Sequence, residues 1–463
     1  MDTVIPSWAT NLSADKKYFF LLFLHIILGS VLFQNPSLGT YYGIATALLG
    51  VLYILWNQNK NHEVLQVAGY LIGNEVLLRM TSNFLNYEFV KCGLVLLAGL
   101  GVFYDGFSKK SFPYWIYLLA LVPSVVFEKD LTALTKSTFN GIVFDLSGPI
   151  CLGALAIYAF DKKLTLRALN KVIIAMGLPI LSCGVYVFLY SPEVDTYMRG
   201  VSSNAMFSGG FGPNQVATVL GLGMFVFFMQ FVIMINKKAL SLINLSISAF
   251  LCYVGLMTFS RGGMITGLAI CVVFLGSVYC FSDAFGKTIA KIGAMYFTLS
   301  VLLVVGLIYY QTNGLILNRY TNRDHRGNLL KERDFDRKGL AELQIKLFIE
   351  NPILGTGPGE RIKINQAENA RVFSSHDEIT RLLAEHGISG LLSILILILT
   401  PLVLFFKTRH NVYLAVFFAF WFLSINHSGM RTAAPAFLYA LMLFKVDLGQ
   451  KSFFRKPLEP SIS

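Results

Sequence analysis

Few residues of this chain are able to do chemistry, and they fall in three short stretches. Ser260-Arg261-Gly262-Gly263 stands between two apolar runs with almost no loop. Arg337 follows Asp334 and Asp336 and opens a stretch that closes at Glu350. His376 is flanked by Ser374, Ser375, Asp377 and Glu378. Guanidinium groups bind phosphate oxygens through paired, charge-assisted hydrogen bonds. An imidazole exchanges its proton near neutral pH, so beside arginines it is a candidate general base. Each residue also has a plainer use. Arg261 can snorkel to lipid headgroups, Arg337 can form a surface ion pair, and His376 can be a solvated loop residue. Asp334 and Asp336 have the spacing of a divalent-metal pair, but Arg333, Arg337 and Lys338 are near enough in the chain to neutralise them. A solvated acidic turn is the simpler reading.

Four further positions are candidates for binding. Arg199 lies upstream of the glycine-rich run from Met206 to Gln215, which contains Asn214 and leads into a helix. Free N–H groups at such a helix start attract phosphate, and a flexible turn is the alternative. Gly357 belongs to Asn351-Pro352-Ile353-Leu354-Gly355-Thr356-Gly357-Pro358-Gly359, a turn that needs unusual backbone angles. It is not a Walker A loop, because the Gly-Lys-Ser/Thr ending is missing. Arg431 ends Asn426-His427-Ser428-Gly429-Met430-Arg431, whose polarity serves either binding or helix packing. Glu75 and Arg79, one helical turn apart, are expected to neutralise each other, and His386 is expected to be structural.

The elements that must position these residues are apolar helices. The chain has 463 residues, 55% hydrophobic and 14% charged, against roughly 25% charged in a soluble domain. Stretches suited to spanning helices, which need roughly 17–25 mostly apolar residues, centre near Leu24, Leu48, Gly69, Leu97, Leu118, Ala154 and Ile180. They continue near Phe225, Ile247, Ala269, Leu302, Leu395, Phe418 and Leu438. The expected fold is all-α, a polytopic transmembrane bundle of about 12–14 helices with one large, partly helical outer loop. The division runs 1–310 for the N-terminal bundle, 311–387 for the loop, and 388–463 for the last helices and a tail. Within the loop, Leu340, Leu343, Leu347 and Phe348 have helical spacing, and Asn351-Pro352 stops that helix.

Alternate loops carry most of the Lys and Arg, among them Lys60, Lys109, Lys110, Lys162, Lys163, Lys237 and Lys238. The positive-inside rule then puts both termini in the cytoplasm and every candidate site residue on the opposite face. The net charge of +12 follows from those loops, and no nucleic-acid partner is expected, since no soluble basic patch is interleaved with aromatics. The six cysteines lie in apolar segments without a Cys-x-x-Cys pair, which supports neither a disulfide framework nor a zinc site. The first apolar stretch reads as a membrane helix, because no small-residue cleavage site follows it.

Taken in order, the motifs resemble a known family. They are Ser260-Arg261-Gly262 at a helix end, Arg337 ahead of the Asn351–Gly359 turn, His376, and Glu385-His386-Gly387-Ile388-Ser389-Gly390-Leu391. This set resembles the O-antigen ligase and O-antigen polymerase superfamily of bacterial membrane glycosyltransferases, from about Arg199 to Leu391. One departure is Asp377, where the family commonly has Asn after the histidine, which alters only the local hydrogen bonding. The resemblance implies inverting glycan transfer on the periplasmic face of the inner membrane, without metal or cofactor, from an undecaprenyl-diphosphate-linked donor. It implies that Arg261 and Arg337 bind the diphosphate and that His376 sits by the acceptor hydroxyl. The first reading is an O-antigen ligase that attaches the glycan to the lipid A-core oligosaccharide. A polymerase that extends a growing glycan and a protein O-oligosaccharyltransferase share the motifs and stay open. A lipid or polysaccharide transporter is disfavoured, because the charges gather on one face and not along a path through the bilayer.

Overall fold

The computed structural model describes residues 14–82, 85–126, 136–192, 201–329, 337–359, 377–407 and 412–447. The chain starts with α1 (Ala14–Gln34), α2 (Leu38–Asn57), α3 (Glu63–Thr81), α4 (Phe89–Asp105), α5 (Phe112–Ala120) and α6 (Val122–Val126). It continues through α7 (Lys136–Ala159), β1 (Lys163–Thr165), α8 (Leu166–Tyr190), α9 (Pro213–Ile233), α10 (Lys238–Met257) and α11 (Arg261–Phe281). The last part holds α12 (Ala284–Gln311), α13 (Leu315–Tyr320), α14 (Arg337–Glu350), α15 (Glu378–Lys407), α16 (Val412–Ile425), α17 (Ala434–Met442) and β2 (Lys445–Asp447). Every apolar centre expected from the sequence, from Leu24 to Leu438, lies within one of these helices. Among the described residues nine helices are long and apolar enough to cross a membrane. The protein is an all-α polytopic helical bundle.

Helix α9 is enclosed along its length, with every residue from Gln215 to Val232 buried. Its apolar residues show no preferred face, as suits a helix surrounded by others. Backbones of α9 and α11 meet directly. A Cβ on Gly263 would lie 2.3 Å from Thr218 N, and one on Gly267 would lie 2.7 Å from Gly221 Cα. Small residues four apart permit this approach between membrane helices. It brings the first turn of α11, with Arg261, beside the first turn of α9.

The periphery is different. Phe19 and Phe23 of α1, Leu48 and Trp56 of α2, and Leu299 and Leu303 of α12 are exposed. Large apolar side chains facing outward along helices of spanning length form the surface that suits lipid.

Helix α15 is broken at Gly387 (φ 58°, ψ −134°). The break frees backbone groups that must find other partners, and the turn 351–359 supplies them. Thr356 N donates to Ala384 O (2.9 Å), Gly357 N to Glu385 O (3.0 Å), and Ile388 N to Pro352 O (2.8 Å). A Cβ on Gly387 would meet Pro352 O at 2.6 Å, and one on Gly355 would meet the Glu385 carbonyl carbon at 2.4 Å. The two glycine motifs therefore fit into one another. Helix α14 lies on α15, where Thr380 Oγ1 donates to Gln344 Oε1 at 2.6 Å. Leu340, Leu343, Leu347 and Phe348, at helical spacing on α14, are half-buried, while Gln344 is buried.

At the other end of the bundle, β1 and β2 pair in parallel, with Lys163 opposite Lys445. Asp161 is bridged by Lys110 (3.3 Å) and Lys445, and Lys162 lies 3.9 Å from Asp105. Asn59 Nδ2 donates to Asp105 Oδ2 at 2.6 Å. This end gathers the loops after α2, α4, α7 and α17.

Candidate active site

Arg261 is the first residue of α11 and is half-buried. The tight turn before it puts Phe259 in the left-handed region (φ 57°), a conformation that costs a non-glycine residue about 1–3 kcal/mol. Arg319 offsets this from α13, where its Nε donates to Phe259 O at 2.9 Å. Arg261 Nη1 in turn donates to Arg319 O at 3.3 Å. Ser260 Oγ donates to Asn214 Oδ1 at 2.7 Å, which ties the start of α11 to the start of α9. Thr218 Oγ1 and His427 Nε2 lie 3.0 Å apart one turn below, and a Cβ on Gly262 would strike the His427 ring.

The next residue of α9 makes the second link. Gln215 Oε1 accepts from Arg79 Nη1 (2.6 Å) and from the Tyr87 hydroxyl (3.0 Å). Arg79 Nη2 donates to Glu75 Oε1 (2.7 Å), Tyr87 O (3.0 Å) and Arg431 O (3.0 Å). The guanidinium stacks on the Tyr87 ring, 3.7 Å from its centroid. Burial lifts the Tyr87 hydroxyl above its ordinary pKa, against the pull of Arg79, so it stays a donor. Glu75 Oε2 accepts from Ala433 N at 2.7 Å. The expected neutralisation of Glu75 by Arg79 is thus observed, and the pair also fixes the backbone that carries Arg431.

A third cluster centres on Arg381 of α15. Its guanidinium contacts Glu378 through Nη2, Glu385 Oε2 through Nη1 at 2.7 Å, and Asp145 Oδ1 through Nη1 at 3.7 Å. Glu378 Oε2 accepts from Met430 N, and Asp145 Oδ2 from Gly359 N, each at 3.2 Å. Beside it, Lys91 Nζ bridges Glu88 (2.9 Å) and Ser147 (3.0 Å). Phe144, Asp145, Glu378, Arg381, Met430 and Arg431 line a small pocket of about 20 Å³ that is partly open. At the head of α15, Asp377 accepts from Ile379 N (3.0 Å) and Thr380 Oγ1 (3.1 Å). Burial still raises its carboxyl above the ordinary range.

The structure thus brings Arg261 and Asn214 together at one corner and sets Arg431 at the pocket mouth, with Gln215 and Arg79 between them. Gly357 is buried in the 351–359 turn, and its amide is taken by Glu385 O. Arg337 begins α14, but its side chain lies outside the described residues, as do Arg199, Asp334, Asp336 and His376. His386 is buried against Ser124, with Nδ1 2.5 Å from the hydroxyl. Sequence reasoning missed Asp145, Glu378, Arg381 and Glu385 as a unit. The signal was present in part: Glu378, Arg381 and Glu385 stand three and four apart at the head of a long apolar helix, the spacing that puts charges on one face. Asp145 and Lys91 in apolar helices were the other clue, because ionisable groups there are rarely unpaired.

No curated protein matches the chain. Residues 246–395 match the Wzy_C family, O-antigen ligase. That span runs from α10 into α15 and contains Arg261, Arg337, the 351–359 turn, His376 and the Gly387 break. Members of that family are O-antigen ligases and polymerases, which are glycosyltransferase-type enzymes. The chain thus carries, within a multi-pass helical membrane bundle, a segment that is similar to the O-antigen ligase family.

Proposed function

We propose that this chain is an O-antigen ligase of the bacterial inner membrane. It transfers an O-antigen-type glycan from undecaprenyl diphosphate to the lipid A-core oligosaccharide on the periplasmic face, with inversion and without a metal. The observation that carries this reading is the family match, because its span holds both candidate arginines and the histidine. The Ser260–Asn214 contact, which plants Arg261 beside the head of the enclosed helix α9, supports it.

The chemistry runs as a single displacement. An acceptor hydroxyl attacks the anomeric carbon, the new C–O bond forms, and the bond from that carbon to the diphosphate oxygen breaks on the opposite face. Diphosphate leaves well without a general acid. What needs stabilising is the negative charge that grows on its oxygens, and Arg261 and Arg337 meet it with charge-assisted hydrogen bonds. His376 takes the proton of the attacking hydroxyl. Asn214 and Arg431 orient the ends of the substrate. The apolar bundle accommodates the polyprenyl tail.

The test is a gel of surface polysaccharide from a deletion strain. Long chains left on carrier lipid, with an unsubstituted core, are expected. A core that bears one repeat unit would identify a polymerase instead, and an intact polysaccharide with loss of protein-linked glycan would identify a protein O-oligosaccharyltransferase. Excess EDTA on the purified enzyme should leave transfer unchanged. Loss of activity that magnesium or manganese restores would return Asp334 and Asp336 to the site as metal ligands.

A further inference from the structure

Helix α14 carries an apolar ridge that faces away from the bundle. Its inner side lies on α15 through Gln344, whose side chain is bound by Thr380. Ile345 and Ile349, by contrast, are 44% and 69% exposed, and Ile353 in the turn that follows is 72% exposed. Residues four apart share one face of a helix, so Ile345 and Ile349 form one ridge, and Ile353 extends it at the helix exit. In water such a ridge forgoes about 25 cal/mol for each Å² left unburied.

The ridge runs on into an exposed apolar face of α15, a helix of spanning length. The hydrogen bond from Ile388 N to Pro352 O (2.8 Å) sets Ile353 beside Ile388, which is 62% exposed. Ile388 is the first residue of α15 after the Gly387 break. From there exposed apolar residues run on through Leu392, Leu395 and Leu399 along a helix of spanning length. Flanking the ridge are the exposed residues Glu342, Lys346 and Glu350, the last two within 3.8 Å of each other. A helix with an apolar side next to a charged side, lying where a spanning helix leaves the bilayer, has the character of an interfacial helix, which buries its apolar face about 5–10 Å into the headgroup–acyl boundary.

We propose that α14 is a membrane-surface helix whose Ile345, Ile349 and Ile353 enter the lipid boundary, with Glu342 and Lys346 in the headgroup layer. The occupant of this surface is the bilayer itself. One consequence rests on the functional reading above: Arg337, the first residue of α14, is held at the depth where the diphosphate of a lipid-linked glycan lies.

The test uses the full-length protein in nanodiscs of phosphatidylethanolamine and phosphatidylglycerol. Cys92 and Cys280, the exposed cysteines, are replaced by Ser, and a spin label is placed at Ile349→Cys or Ile353→Cys. Leu395→Cys serves as the lipid-facing reference and Arg326→Cys as the water-facing one. Both test positions should be relaxed more by oxygen than by a water-soluble nickel chelate, like the Leu395→Cys label. Relaxation like that of the Arg326→Cys label would overturn the proposal. So would labels shielded from both reagents, the outcome if a second copy or another protein covers the ridge. None of these readings depends on transfer activity, so they stand or fall separately from the proposed reaction. The consequence for Arg337 has its own measurement: serine at Ile345, Ile349 and Ile353 together should raise KM for the lipid-linked donor about tenfold and leave kcat near its original value. An unchanged KM would break the link to the donor.

Discussion

The two ends of the bundle treat charge in opposite ways. Where the loops after α2, α4, α7 and α17 gather, the cations are lysines in pairs that reach water, such as Lys110–Asp161 and Lys445–Asp161. Where α3 and α10 end and α4, α9, α11 and α15 begin, the pairs are Arg79–Glu75, Lys91–Glu88 and Arg381 with Glu378 and Glu385. All of these side chains are less than a tenth exposed. Exposed pairs contribute about 0–1 kcal/mol. Removing one partner of a buried pair costs about 3–5 kcal/mol, because the other charge is left uncompensated. The lysine end can exchange partners freely, whereas the arginine end holds three loops in fixed places. That rigidity is what a site needs if it is to meet a diphosphate with preset donors.

The contrast can be tested in steps, beginning with the largest effect. Arg261→Ala, Arg337→Ala and His376→Ala should each lower transfer about a hundredfold or more while the protein stays in the membrane. Full activity in any of them would remove that residue from the site. Arg381→Met should lower stability by about 3–5 kcal/mol in thermal unfolding of the detergent-solubilised protein, and a loss below about 1 kcal/mol would erase the distinction between the ends. Gly387→Ala should cost about 1–3 kcal/mol from backbone strain alone and lose activity as the 351–359 turn is displaced. An unperturbed melting curve would show that the break tolerates a side chain.

The smaller effects belong to the lysine end. Burial over the Tyr158 ring pushes the Lys162 ammonium from an ordinary 10.5 down to about 8, against the opposing pull of Asp105. The unfolded chain keeps this proton up to about pH 10.5 and the folded chain only to about 8, so stability should rise with pH across that window. Lys162→Met should flatten the rise, and an equal slope in both proteins would argue against the shift. Lys110→Ala should change the melting curve by less than about 1 kcal/mol.

Much of the architecture was legible because apolar length is a strong signal in lipid. The centres from Leu24 to Leu438 all lie in helices, including α16 and α17, which have only 14 and 9 residues. The pairing of Glu75 with Arg79 could be read from their spacing. The contact of Arg381 with Asp145 could not, since Asp145 lies on a distant helix and no local pattern links the two. Nor could the sequence show that Gly355 and Gly387 serve each other, because each alone reads as an ordinary turn. On α14 the helical spacing of Leu340, Leu343, Leu347 and Phe348 foretold the helix, but not that α15 takes Gln344 through Thr380 and leaves two isoleucines outside.

The break in α15 also bears on the order in which the protein is made. The 351–359 turn is synthesised before Ala384, Glu385 and Ile388, yet its main-chain partners are those three residues. During translation the turn therefore waits without these partners until the head of α15 has left the ribosome. Docking of the turn is then among the last steps of assembly, and it completes only after the helix has been threaded. A ribosome stalled before Gly387 would hold a chain whose earlier helices are complete but whose 351–359 turn has nothing to close upon.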